Sequence, residues 1–140
     1  MSREHDVAGN VVVSTVRRKR RTTVLLVDDD PAGLAMLRLL FEEQDYHVIA
    51  ATNGLEAIKA HSAHDRVDLI VSDIDMPEMD GMQLARWLDG NGKDAPVIIV
   101  SGLEVDPDEV CASAESVVGF FAKPVDIQAL LETARAAVAS

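Results

Sequence analysis

Five short aliphatic runs, at residues 24–27, 48–51, 69–71, 97–100 and 120–122, punctuate the chain, each bounded by polar or turn-forming residues. Within each run the apolar residues are continuous. A strand with one wet face alternates apolar and polar side chains, because successive side chains point to opposite sides. A strand apolar throughout has to be covered on both faces, the condition met in a parallel sheet between two helical layers.

The stretches between the runs read as helices. Asp30 is placed to cap the first, with Pro31 at its first position and Leu34, Leu37 and Phe41 on one face. Asn53 is placed to cap a second, which contains Leu55, Ala57 and Ile58. A third spans about 82–88 and ends at Gly90, a candidate C-terminal glycine. A weakly patterned fourth covers about 108–113. The fifth starts near Asp126 and sets Ile127, Leu130, Leu131, Ala134 and Val138 on one amphipathic stripe. Five alternations of strand and helix predict a doubly wound α/β fold, a five-stranded parallel sheet with five helices in a three-layer sandwich. A chain of 140 residues, 48% of them apolar, suffices for one such domain and not two.

The charge is unevenly spread. Residues 1–21 hold six basic and two acidic residues, whereas 22–140 hold seven basic and twenty-two acidic, within a total of −11. The division predicts a flexible basic leader over 1–21, carrying the cluster at 17–21, and a domain over 22–140. The acidic body argues against direct nucleic-acid binding, which runs on phosphate neutralisation. A single cysteine, Cys111, excludes an intrachain disulfide, and no apolar run approaches the length of a membrane span. The lone cysteine points to a reducing compartment, and the cytoplasm is the expected location.

Ligands of doubly wound sheets bind beyond the carboxyl ends of the strands. At those ends stand Asp28-Asp29-Asp30, Asp73, Ser101 and Lys123-Pro124. Two carboxylates ~4 Å apart repel by about 4 kcal/mol at an effective dielectric of 20. A shared proton or a divalent cation relieves that, and hard oxygen ligands suit Mg²⁺. An aspartate can attack phosphorus to give an acyl phosphate, and the three phosphoryl oxygens then need countercharge from Mg²⁺, Lys123 and Ser101.

The segment Asp73-Ile74-Asp75-Met76-Pro77-Glu78-Met79-Asp80-Gly81 resembles the phospho-acceptor loop of response-regulator receiver domains. The order around it is similar too: an acidic pair after the first strand, a hydroxyl after the fourth, Lys-Pro after the fifth. The similarity covers 22–140 and implies a flavodoxin-like fold. It implies that Asp73 is the phospho-acceptor, and that Asp28, Asp29, Asp73 and the backbone carbonyl of Asp75 hold Mg²⁺. It implies further that Ser101 and Phe120 form the switch, and that Lys123 binds the phosphoryl group. The donor would be a histidine kinase or phosphotransfer protein. The output would be a repacked surface of the fourth helix, fifth strand and fifth helix, a candidate homodimer face, acting on an effector or output domain that the sequence leaves unnamed. Activity would be limited to self-phosphorylation and dephosphorylation, so the chain reads as a switch and not an enzyme. Asp75 departs from the asparagine common at its position, and Glu115-Ser116-Val117 departs from a small-residue stretch before the fifth strand.

Two other readings compete. Asp73-Ile74-Asp75 resembles the Asp-x-Asp start of haloacid-dehalogenase-type phosphatases, although their acidic metal pair follows in sequence and here it precedes. A phosphorylation-independent binding module on the same fold is the third. Elsewhere, His61 and His64 read as a solvated helix end, Cys111 and Trp87 as packing residues, and Met76, Met79 and Met82 as loop and helix-start packing.

Overall fold

The computed structural model describes residues 5–8, 11–14 and 21–139. Near the N-terminus, strands β1 (His5–Ala8) and β2 (Val11–Ser14) pair antiparallel, with Val7 opposite Val12. The pair falls within residues 1–21, the expected leader, where Val11–Val13 has the composition of a strand. The basic residues 17–20 lie outside the described residues.

The domain runs β3 (Thr23–Val27), α1 (Pro31–Glu43), β4 (His47–Ala51), α2 (Gly54–Ala63), β5 (Leu69–Asp73), α3 (Gly81–Gly90), β6 (Val97–Ser101), α4 (Pro107–Ala112), β7 (Val117–Ala122) and α5 (Ile127–Ala139). Its five strands are all parallel, in the order β4-β3-β5-β6-β7. The expected doubly wound, three-layer, flavodoxin-like sandwich is therefore present.

The three central aliphatic runs are covered on both faces, while the edge strands β4 and β7 are only partly buried. Val24, Leu26, Leu69, Val71, Ile98 and Val100 pack with Leu34, Leu37 and Phe41 of α1 and Leu130 and Ala134 of α5. The intervening Leu25, Val27, Ile70, Val97 and Ile99 pack with Ala57 of α2, Leu84, Ala85 and Leu88 of α3, and Val110 of α4. Period-two alternation thus sends each strand's side chains into two separate cores.

Helix starts are where the sequence puts them. Asp30 accepts from the N–H groups of Ala32 and Gly33, with Pro31 at the first turn, and Asn53 accepts from Glu56 N–H at 2.8 Å. Asp80 and Gln83 form a reciprocal capping box on α3. The third helix ends at the expected glycine. Gly90 is the last helical residue, while Asn91 closes α3 through its backbone and side-chain nitrogens on Trp87 O, and Gly92 takes the left-handed φ of 70°. Strand β7 begins three residues before the predicted run, and its register slips against β6 at Val97/Ile98, which leaves Val118 exposed. Cys111 is exposed on α4, contrary to its reading as a packing residue, whereas Trp87 packs on the core as expected.

The two histidines of α2 separate. His64 is exposed, its Nδ1 2.7 Å from Ala60 O. His61 is half-buried, with both ring nitrogens shut off from solvent and without partners. Burial holds its pKa below the ordinary 6.5; Lys93 adds to that and Asp94 opposes it. A depressed folded pKa means that the unfolded chain takes up the proton first. Stability is therefore full above pH ~6.5 and falls as the pH drops toward the lower folded value. His61→Leu is expected to flatten the decline in unfolding temperature between pH 8 and pH 5, and an unchanged slope would refute this.

Candidate functional site

Strand order reverses at β3: the chain steps outward to β4, then returns to β5 on the other side. The crevice beyond the carboxyl ends of β3 and β5 is the place where such folds bind ligands. Asp28 and Asp29 follow β3 directly, and Asp73 is the last residue of β5. One carboxylate oxygen from each lies within 4.8 Å of the others, the one such acidic group among the described residues. Lys123, which follows β7, sends its Nζ to 3.1 Å from Asp73 Oδ2 and 3.8 Å from Asp28 Oδ2. Four residues from three distant segments of the chain meet at one edge of the sheet.

The surroundings fix each group. Asp28 is buried; its N–H donates to Ala51 O, and its Oδ1 accepts from Asp30 N–H at 2.9 Å. That leaves Oδ2 toward Lys123. Burial raises the Asp28 pKa above its ordinary value, the charges of Asp73 and Asp30 add to this, and the Asp30 N–H bond and Lys123 oppose it. For Lys123 burial works against the charge, but the hydrogen bond to Asp73 and the charges of Asp28, Asp73 and Asp30 outweigh it, and its pKa is raised. Three carboxylates facing one ammonium are short of positive charge. Hard, converging oxygens with a solvent-exposed member, Asp29, fit a Mg²⁺ that keeps part of its water shell.

Ser101 is fully buried at the end of β6; its Oγ accepts from Leu103 N–H at 2.9 Å, and its carbonyl accepts from Lys123 N–H at 2.8 Å. The hydroxyl and the lysine thus share a backbone link. The Lys123–Pro124 bond is cis. Asp75 and Phe120 stand outside the carboxylate group. Asp75 is exposed in the loop after β5, and Phe120 is half-buried on the core that includes Val110 of α4.

Some supports of the site carry no signal that the sequence reading used. A Cβ on Gly81 would stand 2.3 Å from Asp73 O, and one on Gly33 would stand 3.1 Å from Asp28 Oδ2. The Ser72 hydroxyl, fully buried, donates to Asp73 O at 2.9 Å. The Asp80-Gly81 step at the head of α3 is the sequence trace that could have pointed to the first of these.

Comparison with known proteins agrees with this geometry. The family model of the response regulator receiver domain matches residues 24–135. The transcriptional regulatory protein GlrR of Escherichia coli is 40% identical over 102 residues, 73% of this chain and 23% of GlrR. The polar-differentiation response regulator DivK of Brucella anthropi is 32% identical over 102 residues, 71% of this chain and 82% of DivK. The chain thus spans about a quarter of the first relative and most of the second. Among solved structures, the signal receiver domain of a signal transduction histidine kinase from Syntrophus aciditrophicus superposes with a TM-score of 0.73 at 35% identity, over 84% of this chain and 90% of that one. A parallel sheet with this strand order, an acidic group and a lysine at its switch point, and a family match over most of the chain place it among the two-component response regulators: it belongs to the receiver domain family.

Proposed function

We propose that the chain accepts a phosphoryl group on Asp73, in a Mg²⁺-dependent step, from a phosphohistidine on a histidine kinase or phosphotransfer protein. The observation that carries this is the ammonium of Lys123 at 3.1 Å from Asp73 Oδ2, beside the carboxylates of Asp28 and Asp29. A carboxylate oxygen of Asp73 attacks phosphorus in line with the leaving imidazole nitrogen. The P–O bond forms as the P–N bond breaks, and the imidazole leaves to be protonated by solvent. Lys123 compensates charge on one phosphoryl oxygen, and the Ser101 hydroxyl donates to another. Asp28, Asp29, Asp73 and the Asp75 carbonyl would hold Mg²⁺, which when bound supplies countercharge to the remaining oxygen.

Switching follows from the charge. A phosphoryl group adds about −1.5 to −2. It draws the Ser101 hydroxyl inward, and Leu103, bonded to that hydroxyl through its N–H, moves with it. Phe120 then repacks against the vacated space, and the face of α4, β7 and α5 changes shape, in reach of an effector, an output domain or a second copy. Near-complete switching needs about 5.5 kcal/mol of differential stabilisation. We assign residues 22–140 to this domain and 1–21 to a leader outside the chemistry. We place the chain in the cytoplasm; no helix among the described residues is long and apolar enough to cross a membrane.

Mg²⁺ at about ten times its dissociation constant is expected to stabilise the protein by roughly 1.4 kcal/mol. The unfolding temperature should rise by several degrees, and a chelator should reverse the rise. Asp29→Asn is expected to remove most of this response. A wild-type protein whose unfolding ignores Mg²⁺ would overturn the assignment.

A further inference from the structure

The loop after the acceptor, residues 74–80, is tied at both ends. Ile74 N–H donates to Val100 O at 3.1 Å, and Gly81 N–H returns to Ile74 O at 3.0 Å. Between these ties the chain is exposed at Asp75, Pro77 and Glu78. Glu78 takes a left-handed φ of 69°, and Met79 N–H donates across a tight turn to Pro77 O at 2.7 Å. A non-glycine residue in that region is strained and persists only where its neighbours over-determine it.

Met79 makes the over-determining contact. Its Cβ, Cγ and Sδ lie 2.9, 2.9 and 3.0 Å from the point where a Cβ on Gly54 would stand. The side chain therefore lies flat on the first residue of α2, in space that only glycine leaves open. Gly54 is needed there for its size, since it begins an ordinary helix. The seat is itself firm. Asn53 caps α2, and the Glu56 carboxylate accepts from the Thr52 N–H and hydroxyl at 2.9 and 2.6 Å. The second methionine of the loop, Met76, is buried in the same core, so the turn is pinned from two sides.

We propose that Met79, seated on Gly54, is a positioning residue for the cation site: the contact braces the acceptor loop against the start of α2 and so fixes the main chain at Asp75. The proposal rests on the Mg²⁺ reading above. Its test is a Mg²⁺ titration followed by backbone amide shifts, on the full chain, with thermal unfolding in chelator as the control for folding. Gly54→Ala is expected to weaken Mg²⁺ binding about tenfold, the scale of loss when a support behind a metal ligand is disturbed. Its metal-free unfolding temperature should stay near wild type, because alanine suits a helix better than glycine. Met79→Ala is expected to weaken binding in the same direction. The double variant is expected to lose less affinity than the two single losses sum to, because truncating Met79 removes Cγ and Sδ, two of the three atoms that the added methyl meets.

Wild-type affinity in Gly54→Ala overturns the proposal, and so do losses that simply add in the double variant. If Gly54→Ala does not fold, Met79→Leu against Met79→Ala decides the matter: leucine fills the seat and keeps affinity, and equal binding by the two overturns the proposal. Unchanged affinity in Asp29→Asn is a different result, and it removes the cation-site reading itself.

Discussion

Asp73→Asn is expected to eliminate phosphoryl incorporation from acetyl phosphate or a phosphohistidine donor, by more than about 10⁴-fold, the scale on which removal of a nucleophile acts. The substitution is nearly isosteric, so packing around the end of β5 should persist. What disappears is the anionic oxygen proposed to attack phosphorus. The amide that replaces it is a poor nucleophile, and under the proposal neither Lys123, beside Asp73 Oδ2, nor the remaining carboxylates substitute, because their role is to hold the phosphoryl group and the cation. Loss of one of three crowded carboxylates also relieves repulsion, so unfolding in chelator should occur at or above the wild-type temperature. Labelled phosphate retained by the variant in a Mg²⁺-dependent way would sink the assignment of Asp73. Steady release of phosphate from simple monoesters by the wild type would favour the phosphatase reading instead.

Gly81→Ala should do the most damage for the smallest change. The added methyl would lie 2.3 Å from Asp73 O and 3.2 Å from Ser72 Oγ. The first is a main-chain atom at the end of a strand paired with β6, and it cannot rotate away. Either α3 retreats, losing contacts of Leu84 and Leu88 in the core, or the strand end carrying Asp73 shifts. Overpacking typically costs roughly 1–3 kcal/mol, and this case belongs at or above the upper end because backbone must move. For a domain of this size that lowers the unfolding temperature by roughly 10 °C. Phosphoryl incorporation should fall more than stability alone explains, since the proposed nucleophile is displaced along with its carbonyl. A variant with wild-type unfolding and wild-type labelling would contradict the close approach.

The two expectations bracket what residue patterns can reveal. The sheet was legible because a continuous aliphatic run has few alternatives: unless both faces are covered, apolar surface stays in water. Helix starts at Asp30 and Asn53 were legible because capping is local chemistry, settled within four residues. The end of α3 at Gly90 was legible too, but the hydrogen bonds by which Asn91 closes the helix were not. His61 was misread for a related reason. Its spacing from His64 says nothing about which ring faces a neighbouring segment.

For the site, the sequence by itself determined the cast: acids after the first and third domain strands, a hydroxyl after the fourth, a lysine after the fifth, all sent to one edge by a parallel sheet in which every strand points the same way. Only the tertiary structure decided the distances among them, the burial that raises the Asp28 pKa, and the places where Gly81 and Gly54 admit Asp73 O and Met79. The physical reason is range. Periodicity and capping act between residues a few positions apart, whereas close approach and desolvation depend on atoms that the chain brings together from distant segments.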